Sequence, residues 1–175
     1  RKLTRTLPAG ATGYVVLERS PFYVEAGGQV SDTGHLSIEG QVVATVTGMG
    51  RVATGALRVH RVTTSQPLAV GARVDASVSS SVRDATRRNH TATHLLHAAL
   101  RARLGTHVRQ KGSLVSPDRL RFDFDHFQPM SADDRLEVER AVNEQVFANT
   151  PVVTEEKSTE EAIKTGAMAL FGEKY

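Results

Sequence analysis

The sequence predicts an α+β protein, with a small N-terminal β-barrel or sandwich over residues 1–80 and a mixed half over residues 81–175 whose helices pack on an antiparallel sheet. Three observations carry this prediction. Short apolar segments separated by glycines fill the first half, a long helical periodicity occupies residues 87–104, and strands and capped helices alternate after it. At 175 residues the chain can form one domain with a full core or two small ones.

In the first half, residues 14–17 (YVVL), 41–47 (QVVATVT), 56–62 (ALRVHRV) and 73–78 (RVDASV) read as strands. Gly48, Gly50, Gly55 and Gly71 stand between them, as in a small barrel or sandwich. The loop PFYVEAGGQ at residues 21–29, followed by SDTG at 31–34, breaks this pattern. Adjacent Gly27 and Gly28 allow positive φ or a close approach of the backbone to a ligand. Phe22 and Tyr23 are either stacking surfaces for a base or ribose, or aromatics that plug the module. A serine cluster at residues 79–81 marks the boundary, with Asp84 as an expected helix cap.

Residues 87–104, RRNHTATHLLHAALRARL, read as one amphipathic helix. Ala92, Leu95, Leu96, Ala99, Leu100 and Leu104 recur at the spacing that gathers apolar side chains on one face, and Gly105 is a natural stop. At about 100° per residue, His90, His94 and His97 fall within an arc of roughly 60° beside that face, with Thr93 between arc and stripe. Imidazoles at i and i+4 point the same way and can share a metal ion; equally, such a pair is often two polar residues on a half-exposed face. His97 is expected to pack or hydrogen-bond. His60, His107 and His126 show no ligand spacing to one another.

Residues 106–115 read as a strand carrying Arg109, Gln110 and Lys111. In 120–125 (LRFDFD), Leu120, Phe122 and Phe124 alternate inward against Arg121, Asp123 and Asp125. The two aspartates project together, so the run has a minor capacity for a divalent metal. Ser131 opens a helix with Asp133 and Asp134 in its first turn and Leu136, Val138, Ala141, Val142, Val146 and Phe147 on its apolar side. A short strand at 152–154, a capping box at 158–161 for a helix closed by Gly166, and a strand start at 168–171 follow.

Net charge is only +3, but unevenly spread: residues 1–130 carry 17 basic against 9 acidic side chains, residues 131–175 carry 5 against 10. A basic body with an acidic end suits a polyanionic partner, as it does an ordinary solvated basic protein. The absence of cysteine excludes a disulfide framework and fits a cytoplasmic location. No apolar run is long enough to span a bilayer. A start at Arg1 rather than methionine fits a piece of a larger protein.

Five stretches, in order, resemble the alanyl-tRNA editing family, that is, the editing regions of alanine–tRNA ligases and the related free-standing editing proteins. They are PFYVEAGGQ with DTG at 21–34, RNHTATHLLH at 88–97, QKGS at 110–113, LRFDF at 120–124 and ALFGEKY at 169–175. The resemblance implies a translation-factor-like barrel (1–80) and an editing core of the threonyl/alanyl type (81–175). It also implies hydrolysis of the ester joining serine or glycine to tRNA(Ala). His90 and His94 match two zinc ligands, Thr93 the hydroxyl that recognises the seryl side chain, and Gln110 a polar residue of the same pocket. Gly27 and Gly28 match the glycine-rich loop near the tRNA 3′ end, and Gln29 and Arg88 are assigned to substrate binding with them. The family takes its other zinc ligands from a later cysteine-x-x-x-histidine pair, so half of a Zn2+ site is expected here. ATP and Mg2+ are expected only in a ligation domain that these residues do not resemble. Two other readings remain: a free-standing hydrolase acting on released mischarged tRNA, and a non-catalytic module that binds tRNA or another partner.

Overall fold

A computed structural model describes residues 3–52 and 57–166. The matching stretch at 169–175, the strand expected at 168–171, and Gly55 and Ala56 lie outside these residues. The chain divides into two compact units, one of Arg1–Thr93 with Gln110–Asp123 and one of His94–Arg109 with Phe124–Tyr175.

The first unit holds seven strands before its helix: β1 (Thr6–Leu7), β2 (Thr12–Val15), β3 (Gly34–Ile38), β4 (Gln41–Arg51), β5 (Arg58–Thr64), β6 (Leu68–Ala69) and β7 (Asp75–Val78). Among the described residues β1 pairs with β6, and an antiparallel sheet runs in the order β2-β5-β4-β3-β7. All four expected strands form, with shifted ends. Strands β1, β3 and β6 are additional. β3 escapes a periodicity search because its glycine, histidine and serine interrupt the apolar alternation. Gly34 is required there by space, since a Cβ on it would stand 2.0 Å from the Ser77 carbonyl oxygen of β7. β3 and β4 join through Glu39 and Gly40, both with positive φ (50° and 80°), the two-residue turn that suits strand twist.

Phe22, Leu36, Val43, Ala44, Val46, Val62 and Leu68 form the buried core of this unit. Phe22 is 1% exposed and Tyr23 37%, so the aromatic pair is split: one ring plugs the module and the other meets solvent. His60 is fully buried and meets the Phe22 ring edge-on at 5.4 Å. Its Nδ1 donates to the Val15 carbonyl at 3.0 Å, and its Nε2 accepts from the Ser20 hydroxyl at 2.7 Å. Both ring nitrogens are thus satisfied in the neutral form.

Helix α1 (Ser80–Leu104) begins earlier than its apolar periodicity suggests. Asp84 lies inside it rather than capping it; the chain enters through Ser79, whose amide donates to Thr33 and whose carbonyl accepts from Arg83. The first turns carry polar residues because Arg83, not an apolar contact, anchors them. Gly105, at φ 114°, ends the helix as expected. Strand β8 (Gln110–Val115) starts four residues later than anticipated, because the segment before it turns instead, with Val108 donating to the Gly105 carbonyl. β8 pairs with β9 (Leu120–Phe124).

In the second unit, His97 is buried and its Nε2 faces the Val108 carbonyl at 3.4 Å. Helix α2 (Ala132–Ala148) is capped by Ser131, as expected, in a reciprocal box with Asp134. Bonds to the Ser131 hydroxyl, and then to Arg103, bring the Asp134 carboxyl down to about 2. Of the residues assigned to the apolar side of α2, only Val138 is fully buried, while Leu136, Val146 and Phe147 are exposed. Residues 152–154 form no strand: Val152 and Val153 are more than three-quarters exposed and no strand pairs with them among the described residues. Helix α3 (Thr159–Lys164) carries the expected capping box. No described helix is long and apolar enough to cross a membrane.

Burial holds His60 below its ordinary pKa of 6.5. Below 6.5 the unfolded chain therefore takes up a proton that the folded chain resists, and stability falls as pH drops from 6.5 toward the folded value. Urea midpoints measured from about pH 7.5 to 5 should decline for the native protein and decline less steeply for His60→Gln. Equal slopes would contradict this account.

Candidate functional site

The site is built on a tight turn. Ala26 and Gln29 exchange backbone hydrogen bonds of 3.0 and 3.3 Å, and Gly27 and Gly28 between them have φ of 57° and 81°. Two consecutive left-handed residues favour glycine at both positions. The turn then locks onto β8: the Val115 amide donates to the Gly28 carbonyl at 2.8 Å, and the Val30 amide to the Val115 carbonyl at 3.0 Å. Gly28 is pressed so close that a Cβ would lie 2.5 Å from the Ser113 carbonyl oxygen, whereas a Cβ on Gly27 would meet nothing.

Side chains extend this frame. Gln110 Nε2 donates to Ser113 Oγ at 3.1 Å, and Ser113 Oγ donates to the Gly27 carbonyl at 3.3 Å. Gln110 is thereby tied to the glycine turn through Ser113, a residue within a matching stretch to which no role was assigned. Gln29 reaches α1: its Oε1 accepts from His90 Nδ1 at 2.7 Å. That bond selects the tautomer whose Nε2 carries the lone pair, the arrangement of a metal-binding imidazole oriented by an outer partner.

Thr93 lies three residues further along α1, 5% exposed, its hydroxyl donating to the Asn89 carbonyl at 2.8 Å. With its proton committed, the Thr93 oxygen is an acceptor toward any other group. Asn89 Nδ2 donates to the Ser116 carbonyl at 2.7 Å, fixing this helical turn against the end of β8. His90 and His94 are both exposed, one turn apart. Among the described residues no three His, Asp or Glu side chains gather to hold a metal. Asp123 accepts from Arg121 at 3.1 Å.

Arg88 is exposed and stands about 160° around the helix from His90, so it does not share the face that meets the loop. Arg83, Arg87 and His90 lie along that face instead. Arg83 donates to both oxygens of the buried Asp32 carboxylate and to the Pro21 carbonyl at 2.8 Å. The bond to Asp32 raises the Arg83 pKa further, so the guanidinium stays charged. Asp32 also accepts from the Tyr23 amide at 2.6 Å, so one ion pair seats the loop on the first turn of α1. The spacing of Arg83 to His90 carries this signal once the helix is known to begin at Ser80. In the second unit, His107 Nε2 and His126 Nδ1 meet at 2.9 Å, a pairing that spacing did not reveal because distant segments bring them together.

Over residues 1–82 the sequence matches the family model of class II (A) tRNA synthetases. It is 51% identical to the alanine–tRNA ligase of Solibacter usitatus over its whole length, and 51% identical over 97% of its length to that of Pseudomonas syringae. The Halorhodospira halophila alanine–tRNA ligase is 50% identical over the whole chain. The chain is homologous to a region of alanine–tRNA ligase. It spans about a fifth of the length of these relatives, 20% of the first and 19% of the second.

The two glycines of this ligase-like region separate by their surroundings. Gly27→Ala should cost only the left-handed backbone penalty, about 1 kcal/mol. Gly28→Ala adds a collision with backbone and should cost on the order of 3 kcal/mol. Thermal unfolding of both variants measures the difference, and equal losses would contradict the described turn.

Proposed function

We propose that the chain is an editing region that hydrolyses the ester joining serine or glycine to tRNA(Ala). The protein containing it would attach alanine to tRNA(Ala) in a separate ligation domain using ATP and Mg2+, in the cytoplasm. In this reading residues 1–80 are the translation-factor-like barrel and residues 81–175 belong to the editing core. The observation that carries it is the 2.7 Å bond from His90 to Gln29, which ties a glycine turn to the helix bearing Thr93. The homology to alanine–tRNA ligase supports the choice of tRNA(Ala).

The chemical need is clear. A pocket shaped for alanine rejects glycine or serine weakly, because one small group is worth only about 1–3 kcal/mol. A second site that pairs with a hydroxyl discriminates more strongly, since alanine would leave its polar group unpaired. Thr93 supplies that group: its proton is held by Asn89, its oxygen accepts from the seryl hydroxyl, and its burial keeps competing water away. Gly27 and Gly28, free of side chains, let the terminal ribose approach the turn backbone. Gln110 lines the same pocket and is held in place by Ser113. His90 and His94 would hold Zn2+ together with ligands from outside this chain, and the bound ion would activate a water or position the terminal ribose. Gln29 orients the His90 ring for that task.

The test is a chimera in which this chain replaces the corresponding fifth of a related alanine–tRNA ligase. With zinc present it should clear seryl-tRNA(Ala) and spare alanyl-tRNA(Ala), and Thr93→Val should erode that discrimination roughly tenfold or more. A chimera that charges tRNA normally yet hydrolyses neither ester would overturn the proposal.

A further inference from the structure

The geometry points to Ser20 as a nucleophile activated by His60, one that accepts the acyl group of a small acyl phosphate. A chain of three groups, separate from the residues given a part in editing, carries this inference. The Ser20 hydroxyl donates to His60 Nε2 at 2.7 Å, and His60 Nδ1 donates to the Val15 carbonyl at 3.0 Å. A carbonyl can only accept, so the Val15 bond fixes the tautomer whose Nε2 carries the lone pair. A hydroxyl bonded to a base, with the base oriented by a third group, is the arrangement that activates a serine.

Burial suits each partner to its part. His60 is fully buried and packed edge-on against the Phe22 ring at 5.4 Å, so its ring is held toward Ser20. Burial, opposed by the Val15 bond, also holds its pKa below 6.5 and keeps the base unprotonated at neutral pH. Ser20 is half-buried and opens on a cleft of about 430 Å³ within the first unit, where a small molecule can reach its oxygen. The Phe22 amide donates to that oxygen at 3.3 Å, which favours the negative charge that builds there as the proton leaves.

The rest of the cleft selects the substrate. Arg58, Arg83 and Arg87 line it together with Ser20. Arg83 is engaged by Asp32 and Pro21. Arg87 meets Asp84 at 3.4 Å with both side chains largely exposed, a pairing weak enough to yield to a better anion. Arg87 from α1 and Arg58 from the start of β5 thus bring two guanidinium groups to one concave surface, and a phosphate is the anion they hold well. An acyl phosphate joins that anion to a carbonyl that a serine can attack. In the first step the bond from Oγ to the acyl carbon forms and the bond from that carbon to the phosphate oxygen breaks. The Oγ proton passes to His60 Nε2 and on to the departing oxygen, which leaves as hydrogen phosphate. In the second step water gives a proton to His60 and adds to the acyl carbon. Oγ then leaves and takes the proton back, releasing a carboxylic acid.

The experiment incubates the full chain with acetyl phosphate, without tRNA, and follows release of inorganic phosphate; acid-quenched samples are digested and the acetyl group is located by mass spectrometry. The native chain should release phosphate faster than buffer and carry acetyl on Ser20. Ser20→Ala should abolish both effects, and Ser20→Cys, which restores a nucleophile, should again carry acetyl at position 20. His60→Gln should slow release about 100-fold or more, the low end of what a general base contributes. The pH profile tests His60 without a substitution: kcat/KM should hold as pH falls to 6.5 and drop only below it, where His60 takes up a proton. Arg58→Ala and Arg87→Ala should each raise KM several-fold, by more than they lower kcat. Phosphate release by the native chain no faster than buffer or than Ser20→Ala would overturn the inference. So would acetyl found only on lysines in both proteins, which would indicate chemical acetylation of the surface. Because no tRNA is present, failure here leaves the editing reading standing, and a chimera silent in editing leaves this inference standing.

Discussion

The Ala26–Gln29 turn lies so close to β8 that one hydrogen atom is all the substituent its second glycine can carry toward Ser113. This approach constrains everything around it. It lets the Gly28 and Val115 backbones bond directly, brings the Ser113 hydroxyl to the Gly27 carbonyl, and through Ser113 sets Gln110. It also aims Gln29 outward at His90. A larger residue at position 28 would not merely strain its own φ; it would separate the loop from the strand and release the contacts that follow. The Asp32–Arg83 pair plays the complementary part on the other side, seating the same loop on the start of α1. Loop, strand and helix are thereby held by backbone bonds and by one ion pair whose carboxylate is buried.

Much of the fold was legible because burial in this chain follows period. β5 alternates buried and exposed residues along its length, so its pattern marks it directly. α2 and α3 announce themselves through serine caps and acidic first turns. What was not legible depends on partners distant in sequence. β3 is held between β4 and β7 by backbone bonds that require a glycine, so its composition does not look like a strand. The first turns of α1 are stabilised by an arginine meeting an aspartate 51 residues away. The valines at 152 and 153 have strand composition but nothing to pair with among the described residues. Local propensity marks only elements whose stabilising contacts are periodic or local.

The candidate site divides along the same line. His90 and Thr93 could be singled out from helical spacing, and the adjacent glycines from their conformational freedom. Spacing could not tell which helical face would meet the loop, and Arg88 and Arg87 are adjacent residues with different surroundings for that reason. Nor could it supply Ser113, Asn89 or Asp32, whose roles are to hold other residues and whose partners are mostly backbone carbonyls and amides. Their chemistry appears only when the strand and helix are set beside the loop.

The central claim is that the glycine turn and α1 form one site through the Gln29–His90 hydrogen bond. A long-range 1H–15N correlation spectrum of the imidazoles tests it most directly. The account predicts that neutral His90 carries its proton on Nδ1, with the proton shared toward Gln29, and that Gln29→Leu shifts this tautomer balance. A His90 ring protonated on Nε2, or one indifferent to residue 29, would contradict the account.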